Sequence, residues 1–383
     1  MKVGGAWLEA AGTQAVLGML TQAGHHALVV GGCVRNALLG VPVSDVDIAT
    51  DARPDIVSAL AEKAGLRAVP TGIAHGTVTV VAGGEGFEVT TFRHDEETFG
   101  RHARVSFGAS LQQDAARRDF TMNALYARAD GTLVDPLGGL PDLQARRLRF
   151  VGDADARIRE DYLRILRFFR FHAQYGDPAQ GLDAEGLAAC AEHSAMLETL
   201  SRERVTAELR KLLGAADPAP AVAAMAHSGV LQPLLPGASA TALPVLVHLE
   251  EGKPGGWLRR LALLTGAVET LRLSKAETRD FGKIRDAFSS MDSPAVLGWK
   301  LGMRLGADAV LGRAALLETP PAADWRVQMT RGAHADFPLR PADLMPNLMG
   351  PALGGALARA QAYWLDHDLK PTRAQLLALL GLA

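Results

Sequence analysis

The N-terminal half of the chain contains a short apolar strand that leads directly into two glycines. Residues 27–30 (Ala-Leu-Val-Val) are predicted to form a buried strand, Gly31-Gly32 a turn, and residues 34–39 a helix. At such a turn the free backbone N–H groups and the helix dipole favour a phosphate group. Arg35, in the first turn of the helix, would add a charged donor. Glycine pairs between a strand and a helix are common, so the motif alone does not establish a phosphate site.

Two aspartates follow in the next predicted strand. Residues 44–49 (Ser-Asp-Val-Asp-Ile-Ala) alternate, so the apolar residues are predicted to face the core and Asp45 and Asp47 the opposite side. Two carboxylates on one face repel each other, and Mg²⁺ relieves such repulsion while it also binds substrate phosphates. Glu88, on a later predicted strand, would join the pair if the two strands are neighbours. The alternative is a solvated strand edge without a metal.

A third feature is the arginine-rich stretch 159–170. Its apolar residues recur at helical spacing, which predicts a half-buried helix. On that helix Asp161, Arg164 and Arg167 would share a face roughly 120° wide. A carboxylate acceptor beside a guanidinium donor matches the edge of cytosine or adenine and opposes guanine and uracil, where each unpaired polar group costs about 1–3 kcal/mol. The alternative is an ordinary surface helix with an ion pair worth a few tenths of a kcal/mol.

The composition restricts where a nucleic acid could bind. The 383 residues include 40 Lys and Arg and 42 Asp and Glu, a formal net charge of −2, so a nucleic-acid contact would require a local basic patch. Residues 141–175, with eight arginines and five carboxylates, could be part of one. A chain of this length predicts roughly two to four subdomains.

The N-terminus and the cysteines bear on the compartment. Residues 1–5 lack the apolar segment of a signal peptide, and no long apolar run occurs. Cys33 and Cys190 form no CxxC or Cys/His cluster, which indicates a reducing compartment and no structural zinc. We therefore predict a cytoplasmic protein with no membrane contact, and the sequence indicates no protein partner.

Five segments between residues 28 and 172 occur together in a characteristic order. They are Gly31-Gly32-Cys33-Val34-Arg35; Asp45-Val46-Asp47; residues 117–125 (Arg-Arg-Asp-Phe-Thr-Met-Asn-Ala-Leu); residues 135–139 (Asp-Pro-Leu-Gly-Gly) with Asp142-Leu143; and residues 160–167 (Glu-Asp-Tyr-Leu-Arg-Ile-Leu-Arg). This series resembles the ordered motifs of the class II tRNA nucleotidyltransferase and poly(A) polymerase family.

The resemblance implies an α+β fold. It implies a polymerase β-like nucleotidyltransferase head with a small mixed sheet in residues 1–140, and then only helices. The helical part would comprise a neck that recognises the base (141–200), a body (201–290) and a tail that binds tRNA (291–383).

The resemblance also implies roles for individual residues. Asp45 and Asp47 would bind Mg²⁺, and together with Glu88 they would form the catalytic carboxylates. The remaining residues would bind the nucleotide: Gly32, Arg35 and Arg118 its triphosphate, Asp161 and Arg164 its base, and Arg167 and Arg170 further parts of it. Helix geometry supports Arg167 better than Arg170, which is rotated by about 180° from Asp161.

The implied activity is addition of CCA to the 3′ end of tRNA from CTP and ATP, with release of pyrophosphate. Residues 70–80 and 88–93 look like those of the tRNA enzymes and lack the Gly-Arg/Lys-Arg/Lys-Phe signature of poly(A) polymerases. Two departures bear on which nucleotides are added: Asn36 stands where aspartate is common, and residues 99–103 (Phe-Gly-Arg-His-Ala) stand where Asp-Gly-Arg-His-Pro is frequent. The alternatives are an enzyme that adds only part of CCA, a poly(A) polymerase, or a non-catalytic tRNA-binding protein of the same fold.

Overall fold

The computed structural model describes residues 1–99, 102–252 and 256–382. The chain divides into two compact units: residues 1–208 with 227–233, and residues 209–226 with 234–383. The first unit contains the predicted head and neck, and the second contains most of the predicted body and tail. The three boundaries between the four predicted domains stay a prediction.

The strands of the described chain all lie in the first unit. They are β1 (Ala27–Val30), β2 (Asp47–Thr50), β3 (Arg67–Gly72), β4 (Thr77–Ala82), β5 (Glu85–Thr91), β6 (Arg93–Phe99), β7 (His102–Phe107), β8 (Tyr126–Ala127) and β9 (Leu133–Val134). Seven of them form one sheet in the order β3-β4-β5-β2-β1-β8-β9, and β6 pairs with β7 in a separate ribbon. Strands β2 and β5 run parallel while the other pairs in the sheet run antiparallel, which confirms the predicted mixed sheet.

The other regular elements of the described residues are helices. In the first unit they are α1 (Ala6–Glu9), α2 (Ala11–Gln22), α3 (Gly32–Leu39), α4 (Pro54–Lys63), α5 (Leu111–Ala116), α6 (Leu140–Gln144), α7 (Ala154–Glu160), α8 (Leu163–Tyr175) and α9 (Ala184–Glu192). Helices α10 (Arg202–Leu213), α11 (Ala219–His227) and α12 (Leu231–Leu234) include residues of both units. The second unit continues with α13 (Leu243–Leu249), α14 (Trp257–Leu263), α15 (Lys275–Ser289), α16 (Pro294–Leu316), α17 (Trp325–Ala333), α18 (Pro341–Leu344), α19 (Gly350–Asp366) and α20 (Arg373–Leu379).

The two faces of the sheet differ in polarity. Val78 of β4 and Val89 of β5 are buried on the face that contacts α2 and α4. On the opposite face the strand register aligns Asp47 of β2, Glu88 of β5 and Thr79 of β4 in one row. Because side chains alternate along a strand, burying the valines places both carboxylates on the other face. The sheet therefore positions Glu88 beside Asp47, and the predicted neighbourhood of their strands is confirmed.

The prediction of one helix over residues 159–170 is wrong. Helix α7 ends at Glu160 and α8 begins at Leu163, and between them Asp161 has an extended backbone (φ −155°, ψ 105°). The Asp161 carboxylate accepts the backbone N–H of Leu163 at 3.1 Å, a local bond that competes with a continuous helix. Its other oxygen accepts from Arg204 at 2.5 Å. Asp161 therefore does not share a helix face with Arg164 and Arg167.

A histidine is buried in the last turn of α8. His172 is 3% exposed, its Nε2 atom has no hydrogen-bond partner, and burial lowers the pKa of its imidazole. The folded protein therefore favours the neutral ring, whereas the unfolded chain takes up a proton near the ordinary pKa of about 6.5. Folding stability contributed by this residue is present above that pH and is lost as the pH falls below it.

We expect the replacement His172→Phe to flatten the pH dependence of stability. Urea unfolding followed by circular dichroism at pH 8 and pH 5 should show a smaller loss of unfolding free energy on acidification in the variant than in the parent protein. Equal losses in both proteins would contradict the assignment of a neutral, buried imidazole.

The second unit contains a buried ionic cluster. Glu250 is 5% exposed and accepts hydrogen bonds from both Arg259 (2.6 Å) and Arg260 (2.5 Å), while Arg259 also binds Asp308 at 2.6 Å. Arg260 donates further bonds to the backbone carbonyls of Leu213, Ala215 and Ala216. One carboxylate thus holds two buried guanidinium groups, and one of these closes the C-terminal end of α10.

Among the described residues, no helix has both the length and the apolar character that crossing a bilayer requires. The cytoplasmic location stays a prediction.

Candidate active site

The diglycine turn lies at the junction of β1 and α3. Gly31 adopts a positive φ of 72°, which glycine tolerates without strain, and α3 begins at Gly32. A Cβ atom at Gly31 would lie 3.3 Å from Nη1 of Arg118, so a side chain there would press against this guanidinium. The turn and Arg118 are therefore brought together, as the phosphate-site hypothesis requires.

Two buried side chains hold Arg118 in place. Its Nε atom donates to the Tyr126 hydroxyl at 3.0 Å, and that hydroxyl donates to Asp114 at 2.7 Å. Asp114 is 1% exposed; burial alone would favour its neutral form, but Arg117 and Arg118 hold the pKa of its carboxyl below the usual range. Sequence reasoning missed Asp114 and Tyr126, because neither forms a recognisable pattern with Arg118.

Arg35 is buried in a cage of neutral groups. It donates to Oδ1 of Asn36 through Nε (3.2 Å) and Nη2 (2.9 Å), to Oδ1 of Asn123 at 2.5 Å and to the Tyr175 hydroxyl at 2.9 Å. Its guanidinium carbon also lies over the Tyr175 ring at 4.1 Å and the Phe171 ring at 5.1 Å. The residue predicted to bind triphosphate thus also connects α3 to the C-terminal end of α8.

This cage leaves the charge of Arg35 without a direct counter-ion. Within the described part of the chain, no carboxylate lies within salt-bridge distance of the guanidinium, and burial lowers the pKa of Arg35. Four of its five N–H groups have the acceptors named above, which leaves one Nη1 hydrogen for a further acceptor. A buried cation with neutral partners is electrostatically suited to an anion.

The carboxylates lie at the start of β2. Asp47 pairs in register with Glu88, while Asp45 precedes the strand and accepts a hydrogen bond from Ser44 at 2.8 Å. The prediction that Asp45 and Asp47 share one strand face is therefore wrong, because β2 begins only at Asp47. Partial desolvation and the negative charges of Glu88 and Asp45 raise the pKa of Asp47, although Arg118 opposes the shift. Asp45, Asp47 and Glu88 thus form a solvent-accessible carboxylate cluster close to Arg118.

Asp161 and Arg164 do not contact each other. Asp161 binds Arg204, as described above, and Arg164 donates to the backbone carbonyls of Arg157 (2.8 Å) and Arg117 (3.2 Å) and to Glu160. The geometry predicted for base recognition, with the carboxylate one turn from the guanidinium on one helix, is therefore wrong.

Arg167 and Arg170 differ in their surroundings. Arg167 lies partly exposed on α8 and donates from Nε (2.8 Å) and Nη2 (2.5 Å) to Oδ2 of Asp119. Arg170 is buried and donates to Glu208 at 2.5 Å. Arg167 is therefore partly accessible to a ligand, whereas Arg170 is buried against a structural partner. The angle predicted between Asp161 and Arg170 does not apply, because Asp161 lies outside α8.

Asn36 and the segment 99–103 are the two departures noted in the sequence. The Asn36 amide accepts from Arg35 and donates to the Pro42 carbonyl at 2.9 Å, a bond that an aspartate could not make. Asn36 therefore supports both Arg35 and the loop before β2. Residues 100–101 lie outside the described residues.

Comparison with known proteins identifies the relatives of this chain. Residues 27–149 match the family described as Poly A polymerase head domain, and residues 181–241 match the probable RNA- and SrmB-binding site of polymerase A. A CCA-adding enzyme of Geobacillus thermodenitrificans is 38% identical over 313 residues, 81% of this chain and 71% of that protein. The mitochondrial CCA tRNA nucleotidyltransferase 1 of Mus musculus is 43% identical over 203 residues, 53% of this chain and 47% of that protein. The chain thus spans about half the length of several curated relatives that it matches.

Solved structures give the same result for the fold. The Bacillus stearothermophilus CCA-adding enzyme in complex with CTP is 29% identical with a TM-score of 0.70, and the alignment covers 93% of each chain. The Thermotoga maritima CCA-adding enzyme complexed with tRNA has a TM-score of 0.69 at 17% identity, which supports the fold alone. From the extent of the Geobacillus alignment, we conclude that the chain belongs to the family of the CCA-adding enzymes.

Proposed function

We propose that this protein adds CMP and AMP, from CTP and ATP, to the 3′ end of tRNA without a nucleic-acid template and releases pyrophosphate. The observation that carries the proposal is the placement of Asp47 and Glu88 side by side on the open sheet face, near Arg118 and the diglycine turn. This arrangement has the parts that nucleotidyl transfer requires: carboxylates for a divalent ion and donors for a triphosphate. The relatives named above have this activity in their names.

Mg²⁺ is the proposed cofactor, held by Asp45 and Asp47 with Glu88 beside them. The residues fit a hard divalent cation because their ligand atoms are all carboxylate oxygens. Desolvation and the negative charges of Glu88 and Asp45 raise the pKa of Asp47, and a bound cation would relieve the repulsion between these carboxylates. When bound, the ion would activate the RNA 3′-hydroxyl and neutralise charge on the phosphates. A second group, Asp155 with Glu192 and His193, lies elsewhere, and Asp155 is already paired with His193 and Arg159.

The chain's own residues would hold the substrate in line for transfer. The 3′-hydroxyl oxygen forms a bond to the α-phosphorus and releases its proton to water. The bond between the α-phosphorus and the oxygen that bridges it to the β-phosphate breaks, and pyrophosphate leaves with the electron pair. Arg118 lies over the diglycine turn, and Arg35 lies beside it with a free donor, so both could bind the triphosphate. Gly32 would contribute its backbone N–H.

Base choice is proposed to depend on Asp161, Arg164 and Arg167, with Arg170 in a supporting position. Because Asp161 and Arg164 are bonded to protein groups, they would have to exchange these partners for the edge of cytosine or adenine. Arg167 is partly exposed and already oriented by Asp119. We also propose that the protein acts in the cytoplasm, with tRNA as its macromolecular partner.

One assay tests this proposal against its alternatives. Purified protein with Mg²⁺, CTP and ATP is incubated with tRNA that lacks none, one, two or three of its terminal nucleotides, and the products are sequenced. We expect completion to CCA on each shortened substrate and no addition to complete tRNA. Addition of only C or only A would support a partial enzyme, long A tails a poly(A) polymerase, and binding without addition a non-catalytic protein.

A further inference from the structure

A chain of buried hydrogen bonds connects Arg35 to Arg167. Arg35 donates from Nη1 to Oδ1 of Asn123 (2.5 Å), and Asn123 donates from Nδ2 to Oδ1 of Asp119 (2.9 Å). The other oxygen of Asp119 accepts both bonds from Arg167. Arg35, Asn123 and Asp119 are 6%, 6% and 9% exposed, so water competes little with these bonds. The two arginines assigned to opposite ends of the nucleotide are therefore linked through two intermediate side chains.

The amide of Asn123 is suited to the middle of this chain. Arg35 offers only donors, so the oxygen of Asn123 must face it. Burial would favour the neutral form of Asp119, but Arg167, Asn123 and the Phe120 N–H keep the pKa of this carboxyl below its usual range. The Asp119 carboxylate can therefore only accept hydrogen bonds, so the nitrogen of Asn123 must face it. A carboxylate at position 123 would still suit Arg35 but would repel Asp119, and an apolar side chain would satisfy neither neighbour.

We propose that Asn123 is a positioning residue that couples the triphosphate end of the nucleotide site to base selection. The inference rests on the proposed function, in which Arg35 binds the triphosphate and Arg167 contributes to base choice. Asn123 holds the Arg35 guanidinium toward the diglycine turn and holds the Asp119 carboxylate that orients Arg167. When the triphosphate binds to Arg35, Arg167 would thus already be oriented for selection of the base.

Tyr175 provides a matched control for the Arg35 end. Its hydroxyl accepts one bond from Arg35, and among the described residues it is not a hydrogen-bond partner of Asp119. Tyr175→Phe keeps the ring beneath the guanidinium and removes only that bond. We expect this variant to raise KM for CTP and ATP alike and to leave the preference for CTP over UTP unchanged.

The test measures kcat and KM for CTP and for UTP on tRNA that lacks its terminal CCA. For Asn123→Leu we expect a higher KM for CTP together with a fall of about tenfold in the ratio of kcat/KM for CTP to that for UTP. Asn123→Asp, assayed at pH 8, removes only the Asp119 end, so the ratio should fall while KM for CTP stays near the parent value. If Asn123→Leu does not fold, the contrast between Asn123→Asp and Tyr175→Phe carries the test.

The outcomes separate this inference from the function on which it rests. Absence of CMP addition by the parent protein would overturn the proposed function and the inference together. An unchanged CTP-to-UTP ratio in Arg167→Ala would show that Arg167 does not select the base, and this would overturn the inference as well. A reduced ratio in Arg167→Ala with an unchanged ratio in both Asn123 variants would overturn the coupling alone. Equal losses for CTP and UTP in the Asn123 variants would show a general structural role and also overturn it.

Discussion

Asp47→Asn is expected to lower kcat/KM for CMP addition by about 10³-fold or more. Asparagine keeps the size of the side chain but removes one of the charges that would hold Mg²⁺, and loss of several kcal/mol of transition-state stabilisation corresponds to such a factor. The measurement is single-turnover addition of CMP to tRNA lacking CCA, at saturating Mg²⁺. Binding of the tRNA should remain, because Asp47 lies at the carboxylate cluster and not in a basic patch.

Asp55→Asn is the control for this experiment. Asp55 is an exposed residue of α4 whose ion pair with Arg53 spans 4.0 Å at the surface. The change removes the same charge from the same unit, and we expect it to change the rate by less than about twofold. If Asp47→Asn retained the parent rate, Asp47 would not be a metal ligand.

Glu250→Ala is expected to destabilise the second unit by about 3–5 kcal/mol. The replacement removes the carboxylate that Arg259 and Arg260 share, and Arg260, which is fully buried, would keep only backbone carbonyls as partners. Tryptophan fluorescence during urea unfolding can measure the effect, because four of the five tryptophans (Trp257, Trp299, Trp325 and Trp364) belong to the second unit.

Glu269→Ala provides the comparison for the buried cluster. Glu269 is exposed in the same unit, and its removal changes the net charge by the same amount. We expect its unfolding free energy to stay within about 0.5 kcal/mol of the parent value. Similar unfolding curves for both variants would mean that the buried cluster contributes little to stability.

Local patterns in the sequence were sufficient to predict the main elements of the first unit. The apolar run 27–30 is β1, and the diglycine is the turn into α3. These two predictions succeeded because strand burial and glycine conformation depend on neighbouring residues. The mixed sheet, which places Glu88 beside Asp47, was implied by the family resemblance. The resemblance to a known family was also confirmed by the comparisons.

The failed prediction for residues 159–170 depended on a contact between residues that are distant in the chain. The helical periodicity of residues 159–170 gave no sign of the break at Asp161, which is stabilised by Arg204, 43 positions later. The link between Arg35 and Tyr175 spans 140 positions. Asn123 lay within a motif recognised in the sequence, but its role depends on its two neighbours, and periodicity cannot identify them.

A crystal structure with CTP and Mg²⁺ tests the central claim most directly, namely that side chains of this protein select the nucleotide beside a metal site formed by its aspartates. We predict an ion bound by Asp45 and Asp47, the triphosphate at the diglycine turn with Arg118 and Arg35, and the cytosine edge against Arg164 and Arg167 of α8. An ion bound away from Asp45 and Asp47, or a base that contacts none of the neck residues, would contradict the account.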